Sequence, residues 1–252
     1  MNTWQALYLK ELKDNRGVFA FVLLAALCLG AYAVVASVRT QGPTPGMALG
    51  AVGYLMALVF PFLLIHSFSQ EVRGQTHYLL LSLPVPHWHL VLAKFAAVLT
   101  GSAALFAVST AFVHAILLDL AADAAATGAA PHSQVFHVSG LDLWTVTACV
   151  YFSVTVLLLG IGTLISGVRL MVRRLQGILS VACFGACLYV YGYLFEPAVS
   201  GLGSVGLYEM AVIDHGQVEH VEPQLQALVY SCAMGLLFLG LGTWLIDKRV
   251  EV

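Results

Sequence analysis

Six stretches of this chain run for about twenty residues or more without a charged side chain, the length a helix needs to cross a bilayer. They lie at 18–38, 47–69, 95–118, 143–168, 175–195 and 224–246. Hydrocarbon offers no water to backbone N–H and C=O groups, so each run must bond to itself as a helix. The sequence therefore predicts an all-α membrane protein, a single transmembrane domain over residues 1–252 with six transmembrane helices. Composition agrees: 60% of the 252 residues are hydrophobic and 10% are charged, where a soluble domain carries about 25% charged residues. The first run is not expected to be a cleaved signal. It is long, lacks a small-residue cleavage site and follows a segment of mixed charge. A net charge of −2 gives no bulk attraction to nucleic acid.

Basic residues set the expected orientation, because cytoplasmic loops collect Lys and Arg. With the N-terminus inside, Lys10, Lys13, Arg16, Arg73, Lys94, Arg169, Arg173, Arg174, Lys248 and Arg249 are cytoplasmic, and Arg39 is outside. Both termini are expected in the cytoplasm of a cell bearing the chain in its plasma membrane. Residues 2–15 read as an amphipathic helix lying in the membrane interface, with Thr3 as its cap. Trp4, Leu7, Tyr8 and Leu12 share one side, and Lys10, Glu11, Lys13 and Asp14 lie mostly toward the other. Trp4, Tyr8, Lys10, Lys13 and Arg16 would anchor it, and Arg16–Gly17 would turn the chain into the first span. Pro61 is expected to kink the second span.

The outer loops are poor in recognisable chemistry. The loop at 119–142 carries His132 and His137. The loop at 196–223 carries Glu209, Asp214, His215, Glu219, His220 and Glu222. Imidazole suits zinc or copper, so His132, His137, His215 and His220 are weak metal candidates. Their spacing matches no ligand motif, and a solvated loop is the plainer reading. Residues 197–212 are semi-apolar and too short to span, which suits a re-entrant piece. Cys28, Cys149, Cys183, Cys187 and Cys232 all lie in apolar runs with no CxxC pair, and read as small buried hydrophobes.

Several functions lack their residues here. There is no G-x-x-x-x-G-K-[ST], so the chain has no P-loop of its own; H-E-x-x-H and G-x-S-x-G are missing too. No Asp, Glu, Lys or Arg falls inside the six runs, and proton relays or ion pathways usually need such groups. Energy for transport would then come from another chain, and no cofactor is expected in this one. Tyr54, Phe60, Phe62, Phe106 and Phe112 are candidates for an apolar substrate path, with ordinary bundle packing as the plainer account.

The loop at 68–95, FSQEVRGQTHYLLLSLPVPHWHLVLAKF, breaks the pattern. Glu71 and Arg73 precede Gly74, and Tyr78, Leu79, Leu80, Leu81 and Leu83 form an apolar group outside any run. Pro84 and Pro86 end it, and Lys94 marks re-entry. Ser69 is placed to cap a short helix here. An ordinary connector is shorter and more polar, and an apolar patch beside charges usually meets a partner.

This loop, the KELKDNR end of the first helix and the six runs together resemble the permease subunits of type-2 ABC exporters, along nearly the whole chain. That family often shows a glutamate, a glycine, a leucine-rich piece ending in Ser-Leu-Pro, and a lysine entering the third span. Here these are Glu71, Gly74, Leu79 to Leu81, Ser82–Leu83–Pro84 and Lys94. The family's usual Gly-Thr pair is split by Gln75. The resemblance implies a cytoplasmic coupling helix between spans 2 and 3, seated in a separate ATP-binding cassette subunit. Glu71, Arg73, Gly74, Tyr78, Leu79, Leu80, Leu81 and Pro84 would carry that contact. It further implies two copies of the ATPase chain, which bind ATP and Mg, and a second permease copy or a paralogue. The cargo would be apolar or amphipathic: a lipid, a drug or a peptide. Two other readings stand beside it: the same scaffold doing ATP-driven assembly work on an outer protein or metal centre, and, more remotely, a lipid-modifying membrane enzyme.

Overall fold

The computed structural model describes residues 3–40, 55–73, 87–127, 140–171, 176–201, 210–214, 217–221 and 225–250. Seven helices and one hairpin make up these residues. In chain order they are α1 (Thr3–Asp14), α2 (Arg16–Thr40), α3 (Val59–Arg73), α4 (His87–Thr127), α5 (Gly140–Met171), α6 (Gln176–Gly201), β1 (Met210–Asp214), β2 (Gln217–Val221) and α7 (Leu225–Val250).

Five helices are long and apolar enough to cross a membrane: α2, α4, α5, α6 and α7. The expected second span is represented by α3, whose 15 residues reach about 22 Å, short of the ~30 Å hydrocarbon layer. Residues 47–54 of that run lie outside the described residues, so five of the six expected spans are found among the described ones. Helix boundaries also move. The third run continues in both directions into the 41-residue α4, and Lys94, expected at its edge, stands inside the helix. The expectation of spans without Asp, Glu, Lys or Arg is corrected by that lysine.

Pro61 does not bend a continuous helix. A 3-10 turn at Met56–Leu58 precedes α3, and Pro61 falls in the first turn of α3, where its missing N–H breaks no hydrogen bond. Ser69 is not a cap; it lies within α3 and donates its hydroxyl to the Ile65 carbonyl at 2.8 Å. The turn into the first span is at Asn15 and not at Arg16–Gly17. Asn15 N–H and its side-chain Nδ2 both donate to the Glu11 carbonyl, at 3.1 and 2.9 Å, and its own carbonyl accepts from Phe19 N–H. One residue therefore closes α1 and opens α2.

Of residues 197–212, expected as a re-entrant piece, 202–209 lie outside the described residues. α6 continues through Pro197 to Gly201, and β1 and β2 pair antiparallel, Met210 opposite Val221 and Asp214 opposite Gln217. The fold is thus not purely helical. Two strands two residues apart, with a glycine between them, follow the short-hairpin rule.

The core has two parts. Val22, Phe60, Leu64, Phe68, Val98, Leu105 and Leu159 join α2, α3, α4 and α5. Leu157, Ile161, Cys187, Tyr230, Met234 and Phe238 join α5, α6 and α7. Buried hydroxyls tie helices together as they do in lipid, where water cannot compete. Tyr151 meets Ser102 at 2.9 Å between α5 and α4, and Tyr230 donates to the Tyr191 carbonyl at 2.7 Å between α7 and α6. The α5–α7 seam is set by glycine. A Cβ on Gly160 would collide with the Gly235 carbonyl, and one on Gly242 would stand 2.7 Å from Leu164 N. The backbones touch because neither side has a side chain. The cysteines divide: Cys187 is buried, Cys183 and Cys232 are half-buried, and Cys28 and Cys149 are exposed. The expectation of five buried thiols holds for one of them, because α2 and α5 turn Cys28 and Cys149 outward.

Candidate functional site

α1 was expected to lie with its charges outward. It packs instead on α4, and its buried residues are Leu7 and Glu11. Trp4, Leu7, Tyr8 and Glu11 recur at helical spacing, so Glu11 takes the last position of the inward stripe. Trp4 and Tyr8 stack with ring centroids 5.6 Å apart, and Tyr8 meets Thr100 of α4 at 2.9 Å. Lys10, Lys13 and Arg16 are exposed.

Glu11 enters a buried polar junction. Lys94 Nζ donates to Glu11 Oε1 at 2.8 Å and to Ser67 Oγ at 2.8 Å. Ser67 donates its own proton to Glu11 Oε2 at 3.2 Å. The Phe68 ring lies 5.4 Å from the ammonium, within cation–π range. Glu11 is 3% exposed and Lys94 1%. A lone charge at that depth costs several kcal/mol, and only close partners with satisfied hydrogen bonds offset it. Here both carboxylate oxygens and the hydroxyl are engaged. Lys10, which is exposed, adds a second cation 3.6 Å from Glu11 Oε1.

The junction's position matters more than its strength. Ser67 and Phe68 stand near the end of α3, and Lys94 stands two turns into α4. They bracket the loop expected to meet a partner, and Glu11 binds both brackets to α1. Sequence reasoning read Lys94 as a marker of re-entry and Glu11 as solvated. The signal that would have found Glu11 is the 4-7-8-11 stripe; the pairing with Lys94, 83 positions away, has no local signal.

Of the loop residues, Glu71 and Arg73 are the last turn of α3. Gly74, Tyr78, Leu79, Leu80, Leu81 and Pro84 lie outside the described residues, as do Tyr54, His132, His137 and His215. His220 is in β2, opposite Ala211. No group of three His, Cys, Asp or Glu able to hold a metal occurs among the described residues. The path candidates separate. Phe60 is core, Phe106 packs on Tyr151 and Phe152 at 4.8 and 5.6 Å, and Phe112 presses on Gly30. Phe62, 69% exposed, faces away from the bundle.

Residues 6–123 match the family described as ABC-2 family transporter protein. That stretch, just under half of the chain, is similar to the membrane part of type-2 ABC transporter permeases. It covers most of α1, all of α2 and α3 and most of α4, and so holds the whole Glu11–Ser67–Lys94 junction and both ends of the expected coupling loop. No curated protein matches the chain at a significant level. The likeness to a family of membrane transport components agrees with the five helices long and apolar enough to cross a membrane among the described residues.

Proposed function

We propose that this permease is driven by a separate ATP-binding cassette subunit that docks on residues 68–94, and that it exports an apolar or amphipathic compound. The observation that carries the reading is the ABC-2 match across a stretch that contains this loop. The buried junction supports it. A force applied to the loop reaches α3 and α4 together, and Glu11 passes it to α1 without slack, because every polar group at the junction has a partner. Two permease copies with two ATPase chains, both termini of each permease in the cytoplasm, complete the arrangement. Among the described path candidates, Phe62 is the one placed to face a neighbour or a cargo.

The test is purification of the tagged protein in mild detergent from its native host. A stoichiometric P-loop ATPase is expected, and Glu71→Ala with Leu80→Ala should release it while the permease still reaches the membrane. A preparation free of ATPase under conditions that preserve comparable complexes would overturn the proposal.

A further inference from the structure

The side of α3 turned away from the Glu11–Lys94 junction opens on a cavity of about 250 Å³, bounded by Phe62, Ile65, His66, Ser69, Gln70 and Arg169. Arg169 belongs to the last turn of α5 and is half-buried. Among the described residues no carboxylate pairs with it. A cation partly withdrawn from water at the end of a membrane helix, without a counter-ion, marks a functional site by default.

We propose that this cavity binds the phosphate of an anionic phospholipid, with Arg169 as the principal ligand. The guanidinium offers a planar fork of donors that matches phosphate oxygens. Gln70 Nε2 and His66 Nε2 are 2.9 Å apart. When the Gln70 amide donates in that bond, its second N–H and the His66 Nδ1–H remain as donors. Ser69 gives its proton to Ile65 and adds none. Among the described residues no carboxylate lines the cavity, so nothing described in it favours an ammonium headgroup. The apolar residues lie toward one end: Phe62 precedes Gln70 by eight positions, about 12 Å along the helix. Phosphate at the rim with an acyl chain along Phe62 and Ile65 satisfies both ends, and a free phosphate leaves the apolar end empty. The C-terminal end of α5 opposes an anion with about half a unit of charge, against the full unit on Arg169. The inference rests on membrane placement and not on the ATPase partner, so either can fail alone.

The experiment uses the purified permease in detergent without any ATPase. Palmitoyl-oleoyl-phosphatidylglycerol, the corresponding phosphatidylcholine and inorganic phosphate are titrated separately, with bound lipid read by native mass spectrometry. Phosphatidylglycerol should bind in preference to phosphatidylcholine. Arg169→Gln should weaken it about tenfold, and Arg169→Lys, which keeps the charge but loses the fork, should restore only part of the binding. Equal retention by wild type and Arg169→Gln, or equal binding of the two lipids, would overturn the proposal. Displacement of bound phosphatidylglycerol by millimolar inorganic phosphate would assign the site to free phosphate and overturn the lipid.

Discussion

Lys94→Met is the substitution that weighs the buried junction most directly. It removes the ammonium that meets Glu11 Oε1 and Ser67 Oγ, each at 2.8 Å, and keeps the length and apolar character of the stem. Glu11 then stays 3% exposed without its nearest cation. Breaking a buried pair from one side costs about 3–5 kcal/mol. Lys10 keeps a charge 3.6 Å from the same oxygen, so the loss falls at the lower end, about 3 kcal/mol. The double variant Glu11→Leu with Lys94→Met removes both charges, and a packed apolar pair of similar volume is often neutral or better. Ser67 then turns its hydroxyl to the carbonyl four residues back, as Thr163 and Ser166 already do. Reversible unfolding of the purified protein by titrated denaturing detergent gives the three stabilities. The single variant should drop by about 3 kcal/mol and the double should return to within about 1 kcal/mol of wild type. A single variant as stable as wild type, or a double variant as weak as the sum of the singles, would refute the buried pair.

Two further perturbations bear on the bundle. Phe60→Ala should cost about 3–5 kcal/mol, as for a buried aromatic, whereas Phe62→Ala, at an exposed position, should leave the unfolding midpoint unchanged and alter only transport. Gly160→Ala should destabilise by about 1–3 kcal/mol, because the added methyl meets the Gly235 carbonyl; Gly185→Ala on α6, where no atom lies near, should be silent in the same melt.

The spans were legible because a bilayer reads only length and polarity, and both are local properties of the chain. Helix ends were less so. Lys94 looked like a loop residue beside Phe95, yet α4 begins at His87 and draws the lysine inward because Glu11 receives it. The charge pattern of α1 misled for the same reason: Glu11 is polar by type and inward by position, and only its partner reconciles the two. The pairing of β1 with β2 had a signal in the spacing of its glycine, masked by a reading of the region as acid and histidine. The coupling residues from Gly74 to Pro84 rest on the resemblance and the ABC-2 match, and Arg169 was read with Arg173 and Arg174 as an orientation marker, since nothing in the sequence sets it beside α3.

The glycine seam between α5 and α7 has a consequence for how the protein is made. α5 leaves the ribosome well before α7, so a groove floored by bare backbone at Gly160 stands open in the membrane while α6 and the hairpin are synthesised. Gly235 and Gly242 of α7 bring bare backbone to that groove and close it. The seam is therefore completed late: a bulkier residue on either side should leave the early helices inserted and the α5–α7 contact unmade.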